Sequence, residues 1–453
     1  TNIVRTVGNT YMNKQLPDEK ITLIVGAGVT GLTAAYTLAN AGEKCLLLER
    51  EATIGGGCRT YVLDDVTFDL GPHVLLLNPD SEADKLLLKL LENEEVISKN
   101  LSVAFHVNGK YWRFPPSIRD VLFYPWEYKK QMILVRLRKN KRETTDANSF
   151  QSLIEQNTGH SYYNDLFSSF ILKKTCITGD KVHRDWFLRT DRDIKNRKEN
   201  PKKAKLLKHW YYPCKGFEII PQKLWEKYSL TGGETVLNCS PISFDKTKDR
   251  IISVKAGDKT FFVKDIIWTA SINELNNLID ARVQPVNFVD TLIICLTYNR
   301  KARTPRPFIY TYHPQDDLIF NRIYYPDHIY GEKNPSDREG ICLEINCFQG
   351  LQNMTDDEIV TRAVGDVEKL GLFRKRELRQ QRHFWLKECM PVYELDYEIK
   401  LQETFQAVHK FQNLYAVGRK GGYFFCQTPA AVNQGLKVAK HLLQSRSNSG
   451  AKD

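Results

Sequence analysis

Three glycines, Gly26, Gly28 and Gly31, stand in the spacing G-x-G-x-x-G, and Glu49 follows the last of them by eighteen residues. These residue types at these intervals suit the grip of a dinucleotide. Gly26 allows a tight turn, Gly28 lets backbone approach a pyrophosphate, and Gly31 lets helix and strand pack closely. The helix start at Val29 and Thr30 offers unpaired N–H groups and a partial positive charge to phosphate. An acid at the distance of Glu49 takes a ribose hydroxyl. The glycine pattern alone is weak evidence, since it often marks only a structural loop, so the elements around it matter. Ile21 to Val25 is mostly apolar and reads as a buried parallel strand. Leu32 to Leu38 continues as a small-residue helix, Gly42 marks its end, and Cys45 to Leu48 reads as a second strand.

More glycine-rich chemistry follows. Glu51-Ala-Thr-Ile-Gly55-Gly56-Gly57-Cys58-Arg59-Thr60 comes first, then Val66-Thr-Phe-Asp69-Leu-Gly71-Pro72-His73, and near the other end Asn413-Leu-Tyr-Ala-Val-Gly418-Arg419-Lys-Gly421-Gly422. In these residues and their order the chain resembles the FAD-dependent flavoproteins that include UDP-galactopyranose mutases, protoporphyrinogen oxidases and amine oxidases. The Gly-Pro-His form and the Gly-Arg-x-Gly turn are nearest in style to the mutase-like branch. Phe150 to Gly159 and the Tyr-Asn-Asp-Leu-Phe stretch after it resemble a helical substrate-domain segment of that branch. The likeness is firm over roughly residues 20–80 and 410–445.

The resemblance implies an α/β fold, with a Rossmann-like FAD-binding domain of the glutathione-reductase type interleaved with a mixed α+β substrate domain. It implies FAD as cofactor, held by Gly26, Gly28, Val29, Thr30, Gly31, Glu49, Arg50, Gly55, Gly56, Gly57, Arg59, Thr60, Gly71, Pro72, His73, Gly418 and Arg419. Arg419 belongs at the pyrophosphate, where a guanidinium fork matches phosphate oxygens; Arg59 is similar, and Arg50 reaches only the adenine edge. Ile266 to Ala270 resembles the strand that ends near the cofactor phosphates. His73 is the candidate catalytic side chain by the flavin ring, the alternative being a histidine that only hydrogen-bonds a backbone carbonyl. Arg322, Tyr324, Tyr325 and Tyr393 lie in segments that face the flavin in relatives, and Lys173 and Lys174 suit an anionic group. The relatives' Tyr-Thr-x-Lys-x-Trp-Gly signature is replaced here by Phe170 to Gly179, which keeps lysine and loses the tryptophan, and this counts against recognition of a UDP-sugar.

Composition sets the bounds. A chain of 453 residues with 42% apolar and 26% charged residues can bury a large core and divide into two or three domains. No apolar run approaches the roughly eighteen residues of a membrane-spanning helix. Thr1 to Lys20 is polar and lacks the apolar centre of a signal peptide. The ten cysteines show no C-x-x-C and no Cys/His ligand spacing, so reduced thiols in a cytoplasmic protein and no metal site are expected. The net charge of +11 is concentrated in Arg136 to Arg142 and Lys195 to Lys208. Those runs read as a solvated face, as a rim that steers an anionic substrate, or, with Val121-Leu-Phe-Tyr-Pro-Trp and the Met-Ile-Leu-Val stretch after it, as a peripheral contact with an anionic membrane. No nucleic-acid-binding module is recognisable, and nothing indicates the oligomeric state.

In chain order the expected parts are an arm over 1–19, a first FAD-binding part over 20–100, and a helical cap and substrate domain over 101–210. A second FAD-binding part follows over 211–275, a substrate-domain sheet over 276–407, a third FAD-binding part over 408–444, and a disordered tail over 445–453. Within them Asn108-Gly109 marks a hairpin turn inside Leu101 to Phe114, and Thr260 to Val263 and Asp265 to Ala270 read as successive strands. The expected function is an FAD-dependent oxidoreductase that acts on a small polar or anionic substrate by hydride transfer. The alternatives are a non-redox mutase acting on a nucleotide sugar and a flavin-binding protein without catalysis. A single G-x-G-x-x-G argues against a second nucleotide domain for a pyridine nucleotide.

Overall fold

Every residue of the strand Ile21–Val25 is buried. It runs parallel to Cys45–Leu48 on one side and to Lys259–Trp268 on the other. Glu234–Val236 extends the parallel sheet beyond the first neighbour and Leu414–Ala416 beside the second. Pro241–Lys246 and Ile251–Ala256 add an antiparallel edge and complete seven strands. The sheet therefore draws on three separated stretches of chain, which is the interleaving expected from the sequence. The helix Val29–Asn40 packs between Ile219–Leu230 and Thr428–Ser449. A Cβ on Gly435 would stand 2.5 Å from the Thr30 carbonyl, so only glycine allows the last helix to come this close.

This computed structural model describes residues 20–73, 75–77, 81–100, 102–139, 148–188, 209–299 and 308–449. The arm at 1–19, the basic run Lys195 to Lys208 and residues 140–142 of the run that begins at Arg136 lie outside them.

Two expectations need correction. Thr260 to Val263 and Asp265 to Ala270 form one strand, Lys259–Trp268. Its register shifts at Lys264, because Ile21 pairs with Val263 and Thr22 with Asp265. The first half alternates in burial and pairs antiparallel with Ile251–Ala256, whereas the second half is buried continuously beside Ile21–Val25. The tail expected to be disordered from Ser445 is helical through Ser449, and only 450–453 fall outside the described residues. Arg446 explains the extra turn. Its guanidinium pairs with Asp265 and Glu43 and reaches Thr22 Oγ1 at 3.0 Å, which ties the helix to the base of the sheet.

A second sheet of seven strands runs in the order Leu378–Pro391, Phe288–Tyr298, Glu339–Ile345, Arg322–Tyr324, Tyr310–Tyr312, Val103–Val107 and Lys110–Phe114. It is antiparallel except where Tyr310–Tyr312 runs parallel to Val103–Val107. Alternate residues face opposite ways. Ile293, Cys295 and Cys342 face the core shared with the first domain, and Leu292, Ile294 and Leu343 are covered by the helix Asp356–Lys369. Helices Trp126–Lys139, Phe150–Thr158 and Ser169–Thr175, with the helical segment Asn164–Ser168, form a cap whose aromatic side chains, Tyr128, Phe150, Phe167 and Phe170 among them, share a core with Phe105 of the sheet.

Candidate functional site

Val25, Leu48 and Trp268 lie at the C-terminal ends of adjacent parallel strands, and a cavity of about 520 Å³ opens there. Ligands of doubly wound sheets bind at this edge. Gly26, Gly28, Val29, Thr30, Glu49, Arg50, Gly55, Gly56, Gly57, Arg59, His73 and Arg419 all border it, so most of the cofactor residues expected from the sequence meet in one place.

The loop conformation follows from its glycines. Gly26 has φ +103°, and a Cβ there would stand 2.5 Å from Thr269 Oγ1. A Cβ on Gly31 would meet the Gly26 carbonyl oxygen at 2.0 Å. Gly28 differs: nothing lies within 4 Å of its Cβ position, so its bare backbone faces open space. No side chain caps the helix that starts at Val29, and its first N–H groups are left for an anion. The second glycine run lies against the first, with the Gly55 N–H donating to the Ala27 carbonyl at 2.9 Å. Glu49 is buried where the second strand ends, its Oε2 accepting the Ala27 N–H at 2.7 Å and its Oε1 the Glu51 N–H at 2.9 Å. An open glycine cradle, an uncapped helix and an acid beside them fit the pyrophosphate and ribose of FAD.

The arginines differ in freedom. Arg50 is committed to Glu274 at 2.8 Å. Arg59 donates to the Gly56 carbonyl at 2.9 Å. Arg419 is held by the Cys426 carbonyl at 2.6 Å and the Cys389 carbonyl at 3.4 Å. Gly418 does not border the cavity; it has φ +88°, and its N–H donates to Gln434 Oε1 at 2.7 Å, which sets the turn that presents Arg419.

Gly31, Thr60, Gly71 and Pro72 also stand back from the cavity wall. Thr60 donates to Asp69 at 2.5 Å and receives the Glu218 N–H at 3.1 Å. Buried Asp69 further accepts from Tyr330 at 2.6 Å, from the Phe217 N–H at 2.9 Å, and from Tyr212. This carboxylate fixes the segment that ends at His73. The His73 ring stacks on Phe217 at 4.5 Å, and Nε2 lies 2.9 Å from the Gly57 carbonyl oxygen. That oxygen can only accept, so Nε2 carries the proton and Nδ1 keeps its lone pair. Burial pushes the imidazole pKa down to about 4, which leaves the ring neutral at ordinary pH.

None of the six expected substrate residues borders the cavity. Arg322 and Lys174 are brought together: Arg322 Nε donates to Glu344 Oε2 at 2.9 Å, and Lys174 pairs with the other oxygen. This buried cluster lies beneath the His73 segment, with Glu344 Oε2 4.0 Å from the Cβ position of Gly71. Lys173 points elsewhere and donates to the carbonyls of His313, Gln315 and Phe320 at 2.6 to 3.0 Å; burial lowers its pKa to about 8. Tyr324, Tyr325 and Tyr393 are fully buried. Tyr325 bonds Thr311 at 2.9 Å, and Tyr393 accepts the Phe425 N–H at 2.8 Å.

Several wall residues were not expected from the sequence. Cys58, Cys239, Ser271, Lys387, Cys389 and Lys420 reach the cavity from turns far apart in the chain. Cys58, Ser271 and Lys420 had a signal, as neighbours of residues in the stretches that resemble cofactor segments.

A family model described as flavin containing amine oxidoreductase matches residues 29–443. An inactive all-trans-retinol 13,14-reductase of Danio rerio is 33% identical over 86 residues, 19% of this chain and 14% of that protein. An L-amino-acid oxidase of Naja atra is 29% identical over 181 residues, 38% of this chain and 34% of that protein. The matched stretch thus spans about a third of these curated relatives' length or less. The crystal structure of reduced UDP-galactopyranose mutase shares the fold with a TM-score of 0.78 at 17% identity, over 94% of this chain and 96% of that one.

Proposed function

The chain belongs to the flavin containing amine oxidoreductase family, and from that premise we propose that it is an FAD-dependent oxidoreductase acting on a small polar or anionic substrate by hydride transfer. FAD, when bound, supplies the two-electron acceptor or donor. Gly26 to Thr30, Glu49, Arg59 and Arg419 would hold it.

One observation carries the substrate class. Arg322 and Lys174 share the single carboxylate of Glu344 in a buried cluster under the Gly71 to His73 segment. Arg322 stays charged beside Glu344, and Lys174, whose pKa burial lowers, adds positive charge when protonated; a cationic cluster away from water attracts an anionic group in the neighbouring cavity more strongly than a surface charge does. Neutral His73, locked by Gly57 and Phe217, presents Nδ1 as an acceptor beside the same segment.

The test is an anaerobic titration of the FAD-loaded protein with amines, amino acids and other small carboxylates, followed in the visible spectrum. Bleaching by a carboxylate-bearing substrate, with weaker response to its neutral amide, supports the reading. If no such compound bleaches the flavin but dithionite-reduced protein isomerises a UDP-sugar, the mutase alternative replaces it.

A further inference from the structure

The helix Trp126–Lys139 has two apolar faces, and only one is covered. Its inner face is anchored in the cap: Tyr128 is buried and donates to Asp165 Oδ2 at 2.5 Å. Tyr124, in the turn before it, is buried edge-on to Trp112 at 5.2 Å. The other face carries Trp126, Ile133 and Leu137 at helical spacing, all exposed. Leu122 and Phe123 continue the patch, Phe123 at 82% exposure and Trp126 at 67%. An apolar patch of this kind marks an interaction surface.

Charge says what covers it. From Ser117 to Lys139 the chain has six bases (Arg119, Lys129, Lys130, Arg136, Arg138, Lys139) and two acids. Both acids are used within their own helices: Asp120 accepts the Ser117 N–H at 2.7 Å, and Glu127 is bonded by Gln131 at 2.8 Å. Exposed Lys130 and Arg136 flank the apolar stripe. A two-fold dimer through this face would set the same basic surface against itself. A layer of anionic headgroups over acyl chains matches both the charge and the apolar side chains.

We propose that Leu122 to Leu137 is a peripheral docking site for an anionic phospholipid bilayer, with Phe123 and Trp126 entering the interface. No described helix is long and apolar enough to cross a membrane, so the contact lies along the surface.

Co-sedimentation of the FAD-loaded protein with vesicles tests this, using phosphatidylcholine alone and equal parts phosphatidylcholine and phosphatidylserine. Binding is expected only to the second, and added salt should weaken it. A Phe123→Ser/Trp126→Ser variant should bind about tenfold or more weakly, from the lost apolar burial, with flavin content and Tm unchanged. Lys130→Glu/Arg136→Glu should lose the preference for phosphatidylserine while keeping every apolar side chain. Absence of binding, equal binding to both vesicles, or self-association that the serine variant abolishes would each overturn the proposal.

Discussion

Glu49 Oε2 accepts the backbone N–H of Ala27 at 2.7 Å, so the acid at the end of the second strand is bonded directly into the loop between Gly26 and Gly28. Its other oxygen holds the Glu51 N–H at 2.9 Å. The carboxylate therefore braces two of the loops that border the cavity, and under the proposed function it also offers its charge to a ribose. Glu49→Gln keeps the shape of the side chain and removes the charge. Hydrogen bonds to a charged group contribute about 1.5–3 kcal/mol, so the FAD Kd is expected to rise about tenfold or more. Fluorescence titration of apoprotein measures this, and an unchanged Kd would remove Glu49 from the cofactor site.

Gly28 and Gly31 should fail in different ways. Gly28 has φ −74° and nothing within 4 Å of its Cβ position. Gly28→Ala should therefore leave apoprotein stability within about 0.5 kcal/mol while its methyl group blocks the pyrophosphate and weakens FAD binding. A Cβ on Gly31 meets the Gly26 carbonyl at 2.0 Å, so Gly31→Ala should cost about 3 kcal/mol of stability or more. Urea unfolding of the two apoproteins separates the cases; equal midpoints would contradict the assignment of one glycine to the ligand and the other to packing.

The glycine loops, Glu49 and Arg419 were legible because each motif is local, and its residue types fix its conformation. The carboxylate that organises the approach to His73 was visible as part of a motif, but its task was not. Asp69 takes its tyrosine donors from 143 and 261 residues away, at Tyr212 and Tyr330, and no periodicity encodes such meetings. Lys173 and Lys174 show the same limit at short range. Adjacent on a helix, they point in different directions, one into three carbonyls and the other to Glu344. The final helical turn was missed because Arg446 finds its acids only once the sheet exists.

Under the proposed function, Arg419 tests whether shape or charge matters for holding FAD. Its guanidinium spans the Cys389 and Cys426 carbonyls while bordering the cavity. Arg419→Lys retains the charge but loses the planar fork, and the two sites are not equivalent for that reason. An FAD Kd raised about tenfold is expected from the loss of one charge-assisted bond, with Arg419→Ala weaker still. Equal affinities for the two variants would mean that the fork, rather than the charge, carries the whole contribution.

Glu344 is one of the carboxyls that should shape the acid limb of stability. Burial alone would raise its carboxyl pKa, but Arg322 and Lys174 outweigh burial and hold it at about 2, below its ordinary value of 4.5. A carboxyl depressed in the folded state adds stability that is fully present above the unfolded value and is lost as pH falls through the folded one. The window for Glu344 therefore runs from 4.5 down to about 2. Glu344→Gln leaves two buried cations without their partner and should cost about 3–5 kcal/mol at neutral pH. That deficit should shrink as pH falls through the window, because the wild-type carboxylate becomes protonated as well. Urea midpoints of both proteins across this range give the difference, and a deficit that stays constant with pH would show that Glu344 is not the charged centre of the cluster.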